Sequence, residues 1–204
     1  MSRITRIFLV LCFLLFAVPG ALATTYHVPI DFDTIGEAIA AAASGDTIHV
    51  WPSDSPDGDY DEYNLDLETK ELTIQSEQGA GSTIIDCGQN GRGFIIDGGQ
   101  TRATMIKGFT ISYARSPAGE NGAGFYLYNV SPQIKECVIT GCEAPNSTTK
   151  TRGGGLYASG GEPLVQGCEF DECKADGGGG MAFDSGIPDL IENEVHDCEA
   201  WAAG

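Results

Sequence analysis

Three stretches of this chain are copies of one another, and that repetition restricts the fold more than any other feature. GAGFYLYNVSPQIKECVITGCEA starts at Gly122, GGGLYASGGEPLVQGCEFDECKA at Gly153 and GGGMAFDSGIPDLIENEVHDCEA at Gly178. Aligned on their glycines, they bring Pro132, Pro163 and Pro188 together, and with them the apolar sets Ile134/Val165/Leu190 and Ile139/Phe170/Val195. Cys137 and Cys168 fall on Asn193, while Cys142, Cys173 and Cys198 fall on one another. The copies begin 31 and then 25 residues apart, the longer spacing coming from the polar stretch Asn146–Arg152, where a surface turn tolerates insertion. A weaker copy precedes them at Gly93–Ile96 and Met105–Ile111, with Ile106, Phe109 and Ile111 in the apolar positions.

A period in the twenties implies stacked units that bury their apolar faces only against neighbours. Inside each unit the apolar residues alternate, as in Phe125/Leu127, Leu156/Ala158 and Met181/Phe183. That period of two belongs to strands with one face inward. Gly, Pro and Asn interrupt every few residues, too often for helices of useful length. A leucine-rich repeat lacks its leucine offsets here, and a propeller blade needs about 40 residues. The expectation is an all-β coil of short strands, each turn lying on the one before.

One helix is expected outside the repeats. Thr34 and Glu37 form a capping box, and Ile35, Ala38, Ile39 and Ala42 make one apolar stripe, giving a helix over 34–43 that stops at Gly45. Thr47–Val50 then reads as the first strand.

Phe32–Ile39 followed by Gly45–Val50, and later Ser82–Asp86, resemble the opening of secreted right-handed parallel β-helix proteins of the pectate-lyase-like group. The Gly-Gly-Gly-apolar-Tyr and Pro-x-apolar-x-x-Cys units are similar to their repeat coils. The resemblance covers nearly all of 25–204 and speaks for fold rather than activity. It implies that the Thr34 helix caps the N-terminal end of the coil and shields its first open rung. The domain organisation expected is a signal peptide over 1–23, an N-terminal cap over 24–64 holding helix, first strand and acidic loop, and β-helix coils over 65–204. The stretch 201–204 begins another glycine segment, so the C-terminal end is expected to be uncapped and the chain to be the N-terminal part of a longer one.

The signal peptide rests on Arg3 and Arg6, the apolar run Ile7–Val18 and the small-x-small site Ala21-Leu22-Ala23. The run is shorter than a membrane span. No other segment could cross a bilayer, so the mature protein is expected to be secreted or held at the cell surface. The formal net charge is -18, which excludes ordinary nucleic-acid binding, since that requires a basic surface to displace counterions.

Six cysteines remain beyond the signal: Cys87, Cys137, Cys142, Cys168, Cys173 and Cys198. An even number in an exported chain suggests disulfides. Equivalent positions in stacked coils point the same way, however, which strains an S–S dihedral near 90° and favours a stack of buried thiols. Zinc is not expected, because the Cys-x4-Cys pairs have no further ligands to close a tetrahedron and His196 near Cys198 is a weak exception. Calcium is the one cofactor the composition admits: Asp54, Asp57, Asp59, Asp61 and Glu62 crowd a loop with Gly58. That loop lacks the terminal bidentate Glu of a calcium loop, so a solvated acidic loop and no metal site are expected.

Candidate binding residues lie on the glycine-led strands. With Phe125, Leu156 and Met181 inward, Tyr126, Tyr157 and Ala182 face out, with Tyr128, Ser159 and Asp184 two residues further on. Tyr126, Tyr128, Tyr157 and Asp184 are therefore the candidate contacts for a polysaccharide or cell-surface glycan, against ordinary β-surface tyrosine as the simpler account. No catalytic residue is assigned. The resemblance implies that a lyase of this group would use acidic calcium ligands with a basic residue, yet no basic residue sits in an evident acidic triad. Asp171, Glu172, Asp176, Asp184 and Asp189 offer many carboxylate pairs and distinguish none. The expected function is a non-catalytic, exported β-helix for adhesion or polysaccharide binding; the alternatives are a polysaccharide lyase or glycoside hydrolase, and a structural stalk. An enzyme would show a groove of converging carboxylates with a basic residue among them.

Overall fold

The computed structural model describes residues 22–55 and 58–201. The expected signal peptide lies almost wholly outside the described residues. Within them, parallel strands of two to five residues stack into long narrow sheets. The first sheet orders Thr25–Val28, Thr47–Val50, Thr73–Ser76, Met105–Lys107, Gln133–Lys135, Leu164–Gln166 and Asp189–Ile191 side by side. The second holds Asp59–Tyr60, Ile84–Asp86, Thr110–Ser112, Val138–Thr140, Glu169–Asp171 and Glu194–His196. The third holds Leu65–Asp66, Phe94–Ile96, Phe125–Tyr128, Leu156–Ser159 and Met181–Ser185. A short fourth sheet pairs Lys174–Ala175 with Glu199–Ala200, and isolated bridges extend it through Glu143 to Arg115. The chain visits the sheets in turn, so each circuit is one coil of a parallel β-helix.

Alternation along each strand puts equivalent residues into columns down the hollow of the coil. Ile48, Ile74, Ile106, Ile134 and Val165 are successive register partners in the first sheet, and all are fully buried. Ile85, Ile111, Ile139 and Phe170 do the same in the second. Phe94 and Phe125 stack in the third, with ring centroids 5.4 Å apart and planes within 9°. Burying one such side chain is worth about 1.5–3 kcal/mol, so the columns carry the stability of the coil. The two columns end at Leu190 and Val195, 48% and 51% exposed. Among the described residues no further strand pairs with theirs.

The glycines that lead each copy have a packing cause. A Cβ on Gly93 would strike the carbonyl oxygen of Gly124, one on Gly124 that of Gly155, and one on Gly155 that of Gly180. Each carbonyl accepts a hydrogen bond from the residue after the preceding glycine, as Phe125 N–H to Gly155 O at 2.8 Å. A side chain at these positions would force the coils apart.

The N-terminal end differs from expectation in three details. The first strand is Thr25–Val28, ahead of the helix, and Thr47–Val50 lies beside it as the second. The helix spans Ile35–Ala41, buries Ile35, Ala38 and Ile39, and packs on the strands Thr25–Val28, Thr47–Val50 and Leu65–Asp66. Thr34 Oγ1 accepts the Glu37 N–H at 3.1 Å, and the N–H groups of Ile35 and Gly36 go to Glu62, at 2.8 and 2.7 Å. At the other end Ala42 is already extended, and Gly45 with φ +96° comes later. The exit turn closes instead on buried Asp46, whose carboxylate accepts Thr24 N–H at 2.7 Å and Ala43 N–H at 2.8 Å. Lys70 Nζ caps the free carbonyls of Ile39 and Ala40 at 2.9 and 3.1 Å. A carboxylate at the N-terminus and an ammonium at the C-terminus both suit the helix dipole.

Candidate functional site

The third sheet carries the tyrosines. Phe125 and Leu127 point into the core, which turns Tyr126 and Tyr128 outward on the same strand. Tyr126 is in register with Tyr157 on the next coil, and their rings stack at 6.0 Å with planes within 18°. The Arg92 guanidinium lies over the Tyr126 ring, 4.8 Å from its centroid, held there by the Gly122 and Asn121 carbonyls and by Glu120 at 2.7 Å. Both faces of Tyr126 are thus occupied, by a cation and by a neighbouring ring. Tyr157 is only 6% exposed, a correction to its expected place on an open surface. Stacking on Tyr126 and the bond from its hydroxyl to Asp184 draw it against the coil. Tyr128 remains 47% exposed.

These three tyrosines line one cleft of about 310 Å³ with Arg92, Gly119, Glu120, Asn121, Thr149 and Lys150. Its polar wall comes from the loops that precede the tyrosine-bearing strands. Asp184 does not line the cleft. In the last coil the register shifts, so that Ser159 faces Ser185 and Asp184 is an extra residue. The expected equivalence of Asp184 with Ser159 fails because of this bulge. The bulge aims Asp184 at Tyr157, whose hydroxyl donates to Oδ2 at 2.6 Å, while Arg152 binds the other oxygen. The Tyr157 hydrogen bond, then Arg152, hold the Asp184 carboxyl below the usual carboxylate range. Burial, then Asp184, push the Tyr157 phenol up.

A second groove, of about 370 Å³, was missed by sequence reasoning. Gln89, Tyr113, Gly141, Glu143, Glu172, Lys174, Asp197 and Glu199 line it. Tyr113, Gly141, Glu172 and Asp197 all have positive φ, between 43° and 62°, at the turn leaving the second sheet. Beside that turn Arg115, Glu143, Lys174 and Glu199 are neighbours on successive coils, so charge alternates up the ladder. Arg115 pairs with Glu143 at 2.7 Å and Lys174 with Glu199 at 3.5 Å. The signal was present in the sequence: three of these residues directly follow the aligned cysteines Cys142, Cys173 and Cys198. The groove brings carboxylates and a basic residue together, the arrangement set out above for an enzyme.

The six cysteines among the described residues are free thiols, five buried and Cys198 partly so. Cys142, Cys173 and Cys198 share hydrogen bonds in one column, and Cys137 meets Cys168 in another. Asn193 continues the second column: its Oδ1 accepts Cys168 N–H at 2.9 Å and its Nδ2 donates to Val165 O at 2.8 Å. Asn therefore replaces Cys by bonding the same kind of backbone carbonyl that Cys168 Sγ approaches at Ile134, 3.6 Å away. The acidic loop is less solvated than expected, because Glu62 is drawn into the helix N-terminus. Burial pushes its carboxyl above the usual range despite the two N–H bonds it accepts. Among the described residues no three His, Cys, Asp or Glu side chains converge to hold a metal ion, and no helix is long and apolar enough to cross a membrane.

Parallel sheets stacked around a shared apolar core define the class of right-handed parallel β-helix proteins with the pectate-lyase-like fold. The family model described as the right handed beta helix region matches residues 70–204, and the chain belongs to that family. Comparison with curated proteins gave no match, and comparison with solved structures gave none.

Proposed function

We propose that this protein is exported and contacts polysaccharide on the outer face of its coil without turning it over. The observation that carries this reading is the cleft where Tyr126, Tyr128 and Tyr157 meet Asn121, Thr149 and Lys150. Sugar rings present C–H faces and hydroxyls together, and an aromatic wall beside amide, hydroxyl and ammonium groups complements both. Because the Tyr126 faces are taken, the open ring of Tyr128 supplies the stacking surface. Export is supported by the basic, apolar and small-residue pattern of 1–23.

The test is a glycan array probed with the secreted protein, with and without calcium. Tyr128→Ala and Lys150→Ala change exposed positions and should leave the circular dichroism intact while lowering glycan retention at least tenfold. Equal retention by both variants contradicts the reading, and no retention under either condition supports a bare stalk instead. The second reading, a polysaccharide lyase or hydrolase, is favoured by the Glu143, Glu172, Lys174, Asp197 and Glu199 groove. Against it, Lys174 and Glu143 are each committed to an ion pair. Unsaturated products from a polyuronate, lost in Lys174→Ala, would establish that reading.

A further inference from the structure

The chain has three histidines, and two of them stand side by side on the outer face of the first sheet. His27 and His49 are register partners on adjacent strands, with ring centroids 5.7 Å apart. Trp51 walls one side, its ring 5.4 Å from His27 and 6.4 Å from His49. Each imidazole has its own carboxylate. His27 Nδ1 meets Asp31 Oδ2 at 3.2 Å, and that oxygen also accepts the His27 backbone N–H at 2.8 Å. His49 Nδ1 meets Glu77 Oε1.

A carboxylate only accepts, so each Nδ1 carries the hydrogen, and in the neutral ring the lone pair is on Nε2. At His49 that lone pair faces the Gln75 amide nitrogen, 3.3 Å away on the next coil. Imidazoles fixed in this tautomer by a carboxylate on the far nitrogen are in the state that ligates metal ions: the outer partner orients the ring and raises its basicity.

We propose that His27 and His49 bind one divalent late transition-metal ion through their Nε2 atoms, copper(II) most tightly, with water completing the coordination. Strands about 4.8 Å apart place two such rings close enough to share an ion at roughly 2.0–2.1 Å from each nitrogen after small side-chain rotations. Imidazole suits copper, nickel and zinc, and copper(II) leads the affinity order for a given nitrogen site. Asp31 and Glu77 supply negative charge beside the ion without needing to ligate it.

The test titrates the protein with copper(II) sulfate in a non-coordinating buffer, by calorimetry and by electron paramagnetic resonance. The expected result is one ion per chain with hyperfine coupling to two nitrogens, and at least tenfold weaker zinc binding. His27→Ala and His49→Ala should each weaken copper binding tenfold or more and leave one coupled nitrogen. His196→Ala, which removes the third imidazole, should change neither. His27 is the more exposed of the pair, so its variant keeps the test valid if His49→Ala fails to fold. Copper binding that persists in His27→Ala with two coupled nitrogens, or wild-type binding no tighter than that of the double variant, overturns the proposal.

Discussion

The Tyr157 hydroxyl donates to Asp184 Oδ2 at 2.6 Å, joining two coils from outside the core. Asp184 is there only because the strand Met181–Ser185 carries one residue more than its neighbour Leu156–Ser159. With Arg152 on its other oxygen, the carboxylate ties the loop before the third sheet to the sheet's outer face.

That link should fail in acid. A carboxyl held below its ordinary value contributes stability above the unfolded pKa, about 3.9, and loses it as pH falls through the folded value. Tyr157→Phe should therefore cost about 0.5–1.5 kcal/mol at pH 7 and measurably less near pH 2. Urea unfolding of both proteins at the two pH values measures the gap, and an unchanged gap contradicts the assignment.

Glu62 should behave in the opposite sense. Its carboxyl is pushed up by burial, so its protonated form favours the folded state. Its contribution is full below the unfolded value of about 4.3 and is lost as pH rises through the folded value. Wild type should lose stability relative to Glu62→Gln over that rise, whereas Glu62→Ala, which strands the Ile35 and Gly36 N–H groups, should cost about 1–3 kcal/mol throughout. A wild-type-to-Gln difference that is flat with pH would refute the burial effect.

The thiol columns make a chemical prediction. Burial, then Asp86, push the Cys87 thiol up to about 12, and hydrogen bonding to Cys173 raises the partly exposed Cys198. Of Cys87, Cys137, Cys142, Cys168, Cys173 and Cys198, a thiol reagent should label at most Cys198 in the folded protein and all six after unfolding without reductant. Fewer than six after unfolding would show that disulfides, not thiols, fill the columns.

Much of this architecture was legible because the repeat forces it. Three aligned glycines, three prolines and two apolar sets can be satisfied together only by stacking, and Ile134–Val165 and Ile139–Phe170 are indeed register partners. The thiol columns followed from the same alignment. What escaped had non-local causes. Glu62 reads as one more acid in an acidic loop until the helix N-terminus, 26 residues earlier, is brought to it. The bulge at Asp184 has no mark in a gapless alignment. Tyr157 was expected open, yet its burial depends on Tyr126 and Asp184 arriving from two different coils. The charge ladder from Arg115 to Glu199 was visible beside the aligned cysteines, but its meaning depends on which coils touch.

The account stands on successive copies lying in register, and a distance between outward positions tests it most directly. Lys107 and Gln166 each pair with Lys135 from opposite sides, so they lie two coils apart, about 10 Å by strand spacing. Spin labels on Lys107→Cys and Gln166→Cys, read against singly labelled controls, should show strong dipolar broadening from spins within roughly twice that spacing. Spectra that equal the sum of the single-label controls would mean the copies do not stack, and the β-helix account would be wrong.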